Sequence, residues 1–358
     1  MRALHIRFGL ATLLLAFAFT ALPAFAAGTV NNNAWWKDTA GNYIIAQGGN
    51  ISKFGSTYYW YGVQYSGSES YITANNGETP SNVFQSVNVY SSTDLVNWTG
   101  YNPVVTTSTS GFGSVTWVGR LSTVLYNSST KLYVMWIVYN GEDGDGEICL
   151  TSSSPTGPFT VNHVQDGISG VYDSINGDST IFVDVDHGST PYFICSDAHG
   201  REHAYISTLS SNYESINAAT LISEWPQGQE ANNMFERSGV YYYNMSQTHG
   251  FGYSAAYVVW STTPTDPSDY TKDAEFNGTW TDSTYWSQVG NVQELKGSSE
   301  TSYFMMSDRW ANFDDDYWNA GHGLGYYVWS PLTFSGDTPT FNNVSTLTVD
   351  SATGVLTW

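Results

Sequence analysis

The stretch Glu236-Arg-Ser-Gly-Val-Tyr-Tyr-Tyr-Asn244, followed at Trp260-Ser-Thr-Thr-Pro264 by a Ser/Thr turn, decides the fold because it recurs. One unit is a polar turn, an aromatic-rich strand, and a second strand that ends in a Ser/Thr turn. Its other first strands read Tyr58-Tyr-Trp-Tyr-Gly62, Leu132-Tyr-Val-Met-Trp136, Pro191-Tyr-Phe-Ile-Cys195 and Ser302-Tyr-Phe-Met-Met306. The second strands close at Ser92, Ser152, Ser207, Ser261 and Ser330, so successive copies lie 60, 55, 54 and 69 residues apart. Short strands recurring at a period near that size mark radially repeated β-blades. Five copies predict an all-β, five-bladed β-propeller, one domain over residues 27–358. Closure is expected to pair the two chain ends, with residues 341–358 beside the first blade.

Residues 1–26 read as a secretory signal peptide. Arg2 and Arg7 make a basic start, Leu10 to Phe19 an apolar centre, and Ala24-Phe-Ala26 a small-x-small cleavage site. The apolar run is shorter than the ~18–20 residues a membrane span needs. A secreted, extracellular chain is therefore expected. Removing Arg2 and Arg7 takes the formal charge from −21 to −23 (−21 − 2). So acidic a chain repels nucleic acid, anionic membrane surfaces and polyanionic sugars. Neutral polysaccharide or oligosaccharide suits it, because uncharged sugars are held by hydrogen bonds and aromatic faces, and the chain carries 14 Trp, 26 Tyr and 17 Phe. A monomer is expected. The two cysteines, Cys149 and Cys195, lie on apolar strands of neighbouring repeats, where they can form a disulfide or pack as free thiols.

Glycosidic hydrolysis needs a carboxylic acid to protonate the leaving oxygen and a second group to handle water or attack the anomeric carbon. In a propeller those groups belong at the inner ends of blades. Glu230, in Gln229-Glu-Ala-Asn-Asn-Met-Phe235, precedes the turn into the fourth aromatic strand. That places it on an innermost strand, where partial desolvation raises a carboxyl pKa and suits it to act as an acid. Asp178, in Gly177-Asp-Ser-Thr-Ile-Phe182, holds the equivalent place one blade earlier and is positioned to orient that acid. Read without their neighbours, either carboxylate also fits a turn that caps backbone amides.

Several segments together resemble glycoside hydrolase family 43, and within it the exo-β-1,3-galactanase subfamily. They are Asp178-Ser-Thr-Ile-Phe-Val-Asp-Val-Asp-His-Gly188, Glu230-Ala-x-x-Met-Phe-x-x-x-Gly-x-Tyr-Tyr242, Ser287-Gln288, Asp308-Arg-Trp310 and Tyr327-Val-Trp-Ser-Pro-Leu332. Ala46-Gln-Gly-Gly-Asn50 resembles that subfamily's first-blade entry, and Ser92-Thr-Asp-Leu-Val-Asn-Trp98 its next strand. The likeness runs from about residue 40 to 335. It implies a five-bladed propeller, an inverting mechanism, Glu230 as general acid and Asp178 as its pKa modulator. It also implies Gln288 as the group that handles water, because Gln47 and Asn50 stand where many family members carry an Asp base. Gln47, Arg120, His249, Asp308 and Trp310 are the expected substrate-binding residues. A departure lies at Val118-Gly-Arg-Leu-Ser-Thr123, where the subfamily's Glu-Arg-Pro-Lys stretch has a sugar-contacting Glu and this chain has none.

The expected activity is removal of galactose from β-1,3-galactan by an exo-acting enzyme. An α-L-arabinofuranosidase, a β-xylosidase of the same family and a non-catalytic carbohydrate-binding propeller stay open as alternatives. No cofactor is required by this chemistry. The acidic stretches Glu142-Asp-Gly-Asp-Gly-Glu147 and Asp314-Asp-Asp316 read as solvated loops, with structural Ca²⁺ as the second reading. His249 and His322 sit in glycine-rich bends near blade ends.

Overall fold

The computed structural model describes residues 27–69, 72, 83–100, 103–113, 115–141, 144–172, 177–198, 200–250, 252–271, 274–275, 284–310 and 327–358. The segment read as a signal peptide, Asp314 to Asp316 and His322 lie outside them. Each repeat becomes an antiparallel sheet whose second strand is the aromatic one. These aromatic strands are Thr57–Tyr65, Leu132–Gly141, Thr190–Ser196, Val240–Gln247 and Thr301–Asp308. The strand on the axial side of each is Gln47–Phe54, Val115–Leu121 continuing at Leu125–Asn127, Ser179–Asp184, Gln229–Arg237 and Gln288–Lys296.

The fold is all-β, but the count of five is corrected: the described residues form six sheets. The sixth is three-stranded and joins the chain ends, with Gly28–Asn31 paired to Thr346–Asp350 and that strand paired to Val355–Thr357. These strands are short and carry no copy of the aromatic unit, so a recurrence count passes over them. The two ends do meet, as a sheet of their own rather than as added strands of the first repeat sheet.

The core lies between sheets, as the alternation of inward and outward residues on each strand requires. Five clusters of buried side chains fill the interfaces. In one of them the terminal sheet contributes Val30, Leu347, Val349 and Leu356, against Trp60 and Trp98 of the first repeat sheet and Phe304 and Trp329 of the fifth. The ring packing there is edge-on or tilted, with Trp60–Trp98 centroids 5.4 Å apart and Phe304–Trp329 centroids 4.8 Å apart. Cys149 and Cys195 are free thiols packed in a single cluster between the second and third repeat sheets. Burial pushes the pKa of both upward, so they behave as small apolar groups.

One device repeats on the axial strands. A register shift lies between Gln47 and Asn50, between Val118 and Leu121, between Glu230 and Asn233, and between Val289 and Val292. A β-bulge bends its strand and re-aims the side chains beside it. The bulges fall next to Gln47, Arg120, Glu230 and Gln288, and they bring those side chains to one end of the axis. In two of them the residue after the polar side chain takes a left-handed backbone: Gly48 at φ 60 and Ala231 at φ 55.

Because the terminal sheet is held mainly by its apolar face, Leu347→Ala is expected to destabilise the fold by about 2–5 kcal/mol. Denaturant unfolding should show this as a lower midpoint with an unchanged slope.

Candidate active site

Glu230 is 1% exposed and accepts three hydrogen bonds. Its Oε1 takes the His249 backbone N–H at 2.7 Å and Gln288 Nε2 at 2.6 Å, and its Oε2 takes Arg201 Nη1 at 2.5 Å. Burial pushes its pKa up to about 7, and the nearby Asp178 charge adds to the rise. Arg201, the His249 amide and Arg120 oppose that rise. A carboxyl with a pKa near 7 can hold a proton in the free enzyme and release it to a substrate at neutral pH.

Asp178 sits just before its axial strand and spans the gap to the next one. Its Oδ2 accepts the Ala231 N–H at 2.8 Å and lies 3.8 Å from Arg120 Nε. Asn232 fixes it from behind, donating to the Asp178 carbonyl at 2.9 Å and to Ser196 Oγ at 3.0 Å. The left-handed turn at Ala231 thus aims one residue's amide at Asp178 while the preceding side chain, Glu230, faces the axis.

Arg120 is the hub. It donates from Nη1 to Asp308 Oδ2 at 2.8 Å and from Nη2 to Gln288 Oε1 at 3.0 Å, and its guanidinium lies over the Trp310 ring at 5.1 Å. Gly290 makes room for it, since a Cβ there would come within 2.7 Å of Nη1. Burial raises the pKa of Asp308, against the pull of Arg120 and the Gly48 amide. Trp310 also donates from its indole N–H to Gln288 Oε1 at 2.9 Å. The Gln288 amide is therefore committed at both ends: its oxygen serves Arg120 and Trp310, and its nitrogen serves Glu230. It is not separated from Glu230 by a water-wide gap.

The structure gathers Glu230, Asp178, Gln288, Arg120, Asp308 and Trp310 into one network. His249 joins through its backbone, while its ring sits at the exposed rim with Nδ1 against the Tyr253 carbonyl at 2.5 Å. Gln47 is buried at the same level of the axis but turns aside, donating to the Arg309 carbonyl at 3.1 Å. Arg201 and Asn232 were not singled out by the sequence. Arg201 lies at a tight turn between outer strands, where nothing local distinguishes it from a solvated charge. Asn232 had a signal, since it follows Glu230 by two residues and so returns to its side of the strand, but the bulge conceals that spacing. Among the described residues no group of three or more His, Cys, Asp or Glu side chains is arranged to hold a metal ion. Of the first acidic stretch, Glu147 is instead buried in the second repeat sheet, and neither of its carboxylate oxygens has a hydrogen-bond partner. Burial pushes its pKa up to about 8; the Ser179 hydroxyl, shared with Ser122 at 3.0 Å, eases the rise only in part.

A buried carboxyl with a raised pKa, a second carboxylate beside it and an arginine hub at a propeller mouth fit the acid chemistry of a glycoside hydrolase. The family model for glycosyl hydrolases family 43 matches residues 51–324, and the chain belongs to that family. No protein of curated function matches it significantly. Among solved structures it is similar to an exo-β-1,3-galactanase from Clostridium thermocellum, at 28% identity and a TM-score of 0.77. That match covers 92% of this chain and 68% of the other. It is also similar to an exo-β-1,3-galactanase from Phanerochaete chrysosporium solved with β-1,3-galactotriose, at 25% identity and a TM-score of 0.74, covering 92% and 70%. A Bifidobacterium bifidum structure at 22% identity and a TM-score of 0.66, covering 88% and 96%, shares the fold. Within the family the chain lies close to the exo-β-1,3-galactanase subfamily.

Two outcomes follow from these charges. Arg201 holds the Glu230 pKa down, so Arg201→Ala should move the basic limb of the pH–kcat profile to higher pH, by on the order of one unit. For Glu147, the folded chain keeps a proton that the unfolded chain has released between about pH 4.5 and 8. Its contribution therefore falls as pH rises through that window. Glu147→Gln should remove this loss and raise stability at pH 8 more than at pH 5, as read by denaturant midpoints.

Proposed function

We propose that this chain is a secreted exo-β-1,3-galactanase that acts with inversion, taking neutral β-1,3-galactan as substrate. The observation that carries the reading is the Glu230 site: a buried carboxyl with a pKa near 7, flanked by Asp178 and closed on Gln288. The 28% and 25% identical galactanases support the choice of sugar, and the acidic surface supports a neutral polymer. Export rests on the sequence of residues 1–26.

In this reading Glu230 gives its proton to the glycosidic oxygen as the bond to the anomeric carbon breaks. Water attacks that carbon from the opposite face, and the departing galactose carries the new hydroxyl. Asp178 keeps the Glu230 pKa high by its charge, so that the acid is protonated when the substrate arrives. Inverting sites keep their two working groups roughly 6.5–9.5 Å apart so that water can enter. Gln288 therefore works only once the sugar has opened its contact with Glu230. The amide then orients the water, and the water's proton leaves to solvent because a neutral amide is a poor base. Arg120 and Trp310 hold the Gln288 oxygen and so set where its nitrogen points.

Glu230→Gln should lower kcat on β-1,3-galactan about 10²–10⁴-fold with a much smaller change in KM. NMR of the first product before mutarotation should show the inverted anomer, and Gln288→Ala should suppress its formation. A retained anomer, or near-normal kcat in Glu230→Gln, would overturn the assignment.

A further inference from the structure

A second chamber lies at the other end of the axis. The strand Gln229–Arg237 carries Glu230 at one end and Glu236 at the other, so at the usual strand rise the two are roughly 20 Å apart. Around Glu236 the axial strands spread into a funnel of about 920 Å³. This is within the range of small-molecule binding sites. None of the residues of the Glu230 network lines it.

A polar belt closes the axis between the two. Asn50 Nδ2 donates to Thr123 Oγ1 at 2.5 Å, and that hydroxyl donates to the Ile181 carbonyl at 2.6 Å. Asn291 donates to the Gly49 carbonyl at 3.2 Å, and its oxygen accepts from Thr180 at 3.2 Å and from Asn233. The funnel is therefore a separate chamber, not the rear of the active site.

Its walls differ in chemistry. On one side Phe54, Tyr133 and Tyr126 form a file of rings, with centroids 4.9 Å apart at each step. Tyr126, at the rim, is 40% exposed. Facing them, Glu294 is half-buried and its carboxylate makes no hydrogen bond or ion pair to any described residue, while Gln293 Nε2 donates to the Glu294 carbonyl at 2.7 Å. The other carboxylates of the funnel are already engaged. Asp184 accepts from the His187 backbone and ring and from the Tyr241 hydroxyl, Asp186 pairs with Lys296 at 3.4 Å, and Glu236 accepts the Gly239 N–H. Among the described residues no three of its carboxylates or histidines are grouped to hold a metal ion, and the surplus of carboxylates repels anions. Aromatic faces opposite a free carboxylate and an amide suit a neutral, hydroxyl-rich ligand. The rings cover its C–H faces, and Glu294 accepts from its hydroxyls.

We propose that this funnel is a second, non-catalytic binding site for a neutral oligosaccharide, lined by Tyr126, Tyr133 and Glu294. A polymer held there stays attached between cleavages at the opposite mouth. The choice of probe rests on the galactanase reading, and the test separates the two. The full chain carrying Glu230→Gln is titrated with β-1,3-galactotriose by calorimetry. In parallel, Tyr126→Ala with Glu294→Gln is made in the active chain; both positions are partly exposed, and melting curves check that the fold is kept. Two sites per chain are expected, one of them lost when the funnel pair is added. In the active chain the same pair should cut retention on insoluble β-1,3-galactan about tenfold, a loss of ~1.4 kcal/mol, while kcat on a soluble short galactoside stays within about twofold. A single site indifferent to the funnel pair overturns the proposal even if hydrolysis is normal. So does a funnel that takes oligo-lysine but no neutral sugar. Funnel-sensitive sugar binding by a chain that hydrolyses no galactan sustains the funnel and overturns the galactanase reading instead.

Discussion

The arrangement of the mouth depends on one guanidinium. Arg120 enters the axis from the second repeat sheet and reaches Asp178 on the third, Gln288 on the fifth and Asp308 on the strand beside it. Three carboxylates, the buried Glu230 and Asp308 and the partly buried Asp178, would otherwise crowd a space with little water. Charge of one sign in such a place is relieved by protonation or by a partner. Arg120 partners Asp178 and Asp308 while Arg201 partners Glu230 from a turn of the third sheet, and burial together with the Asp178 charge still raises the Glu230 pKa. The cation is itself buried; two of its donors go to Asp308 and Gln288, its flat face lies over Trp310, and its Nε stands 3.8 Å from Asp178.

The backbone prepares this with the same device on four of the axial strands. A strand of even pleat would send alternate side chains to the two faces of its sheet and put few of them on the axis. The bulges beside Gln47, Arg120, Glu230 and Gln288 interrupt that alternation. Each re-aims a polar side chain, and the interrupted ladder frees amides such as those of Gly48 and Ala231 to bind Asp308 and Asp178. The belt of Asn50, Asn233 and Asn291 just beyond them seals the axis, so that the chemistry is confined to one mouth.

Several of the residues that the structure gathers at the axis were legible because they sit at corresponding places in successive repeats. Glu230 and Asp178 stood out as carboxylates ahead of their hairpins, and the family resemblance added Gln288, Arg120, Asp308 and Trp310. What stayed hidden depends on long-range meeting. Arg201 acts on Glu230 from a turn of the neighbouring sheet, and no local pattern marks it. His249 contributes a backbone amide, which any residue could supply, so its ring gave a misleading cue. Glu147 looked like part of a solvated acidic loop, because sequence cannot show that the strand carrying it turns that one side chain into the core.

The sequence by itself determined the class of fold, the repeated sheets and the strand that carries Glu230. Those follow from local turn chemistry and from the alternation of apolar and polar residues, both written within a few residues of each other. Only the tertiary structure decided the number of sheets, because the sixth is made from short ends more than 300 positions apart that meet on an apolar surface built by the others. It also decided that Gln288 rests on Glu230 rather than facing it across a gap. That contact depends on where two bulged strands bring their side chains around the axis, and no spacing along the chain encodes such a distance.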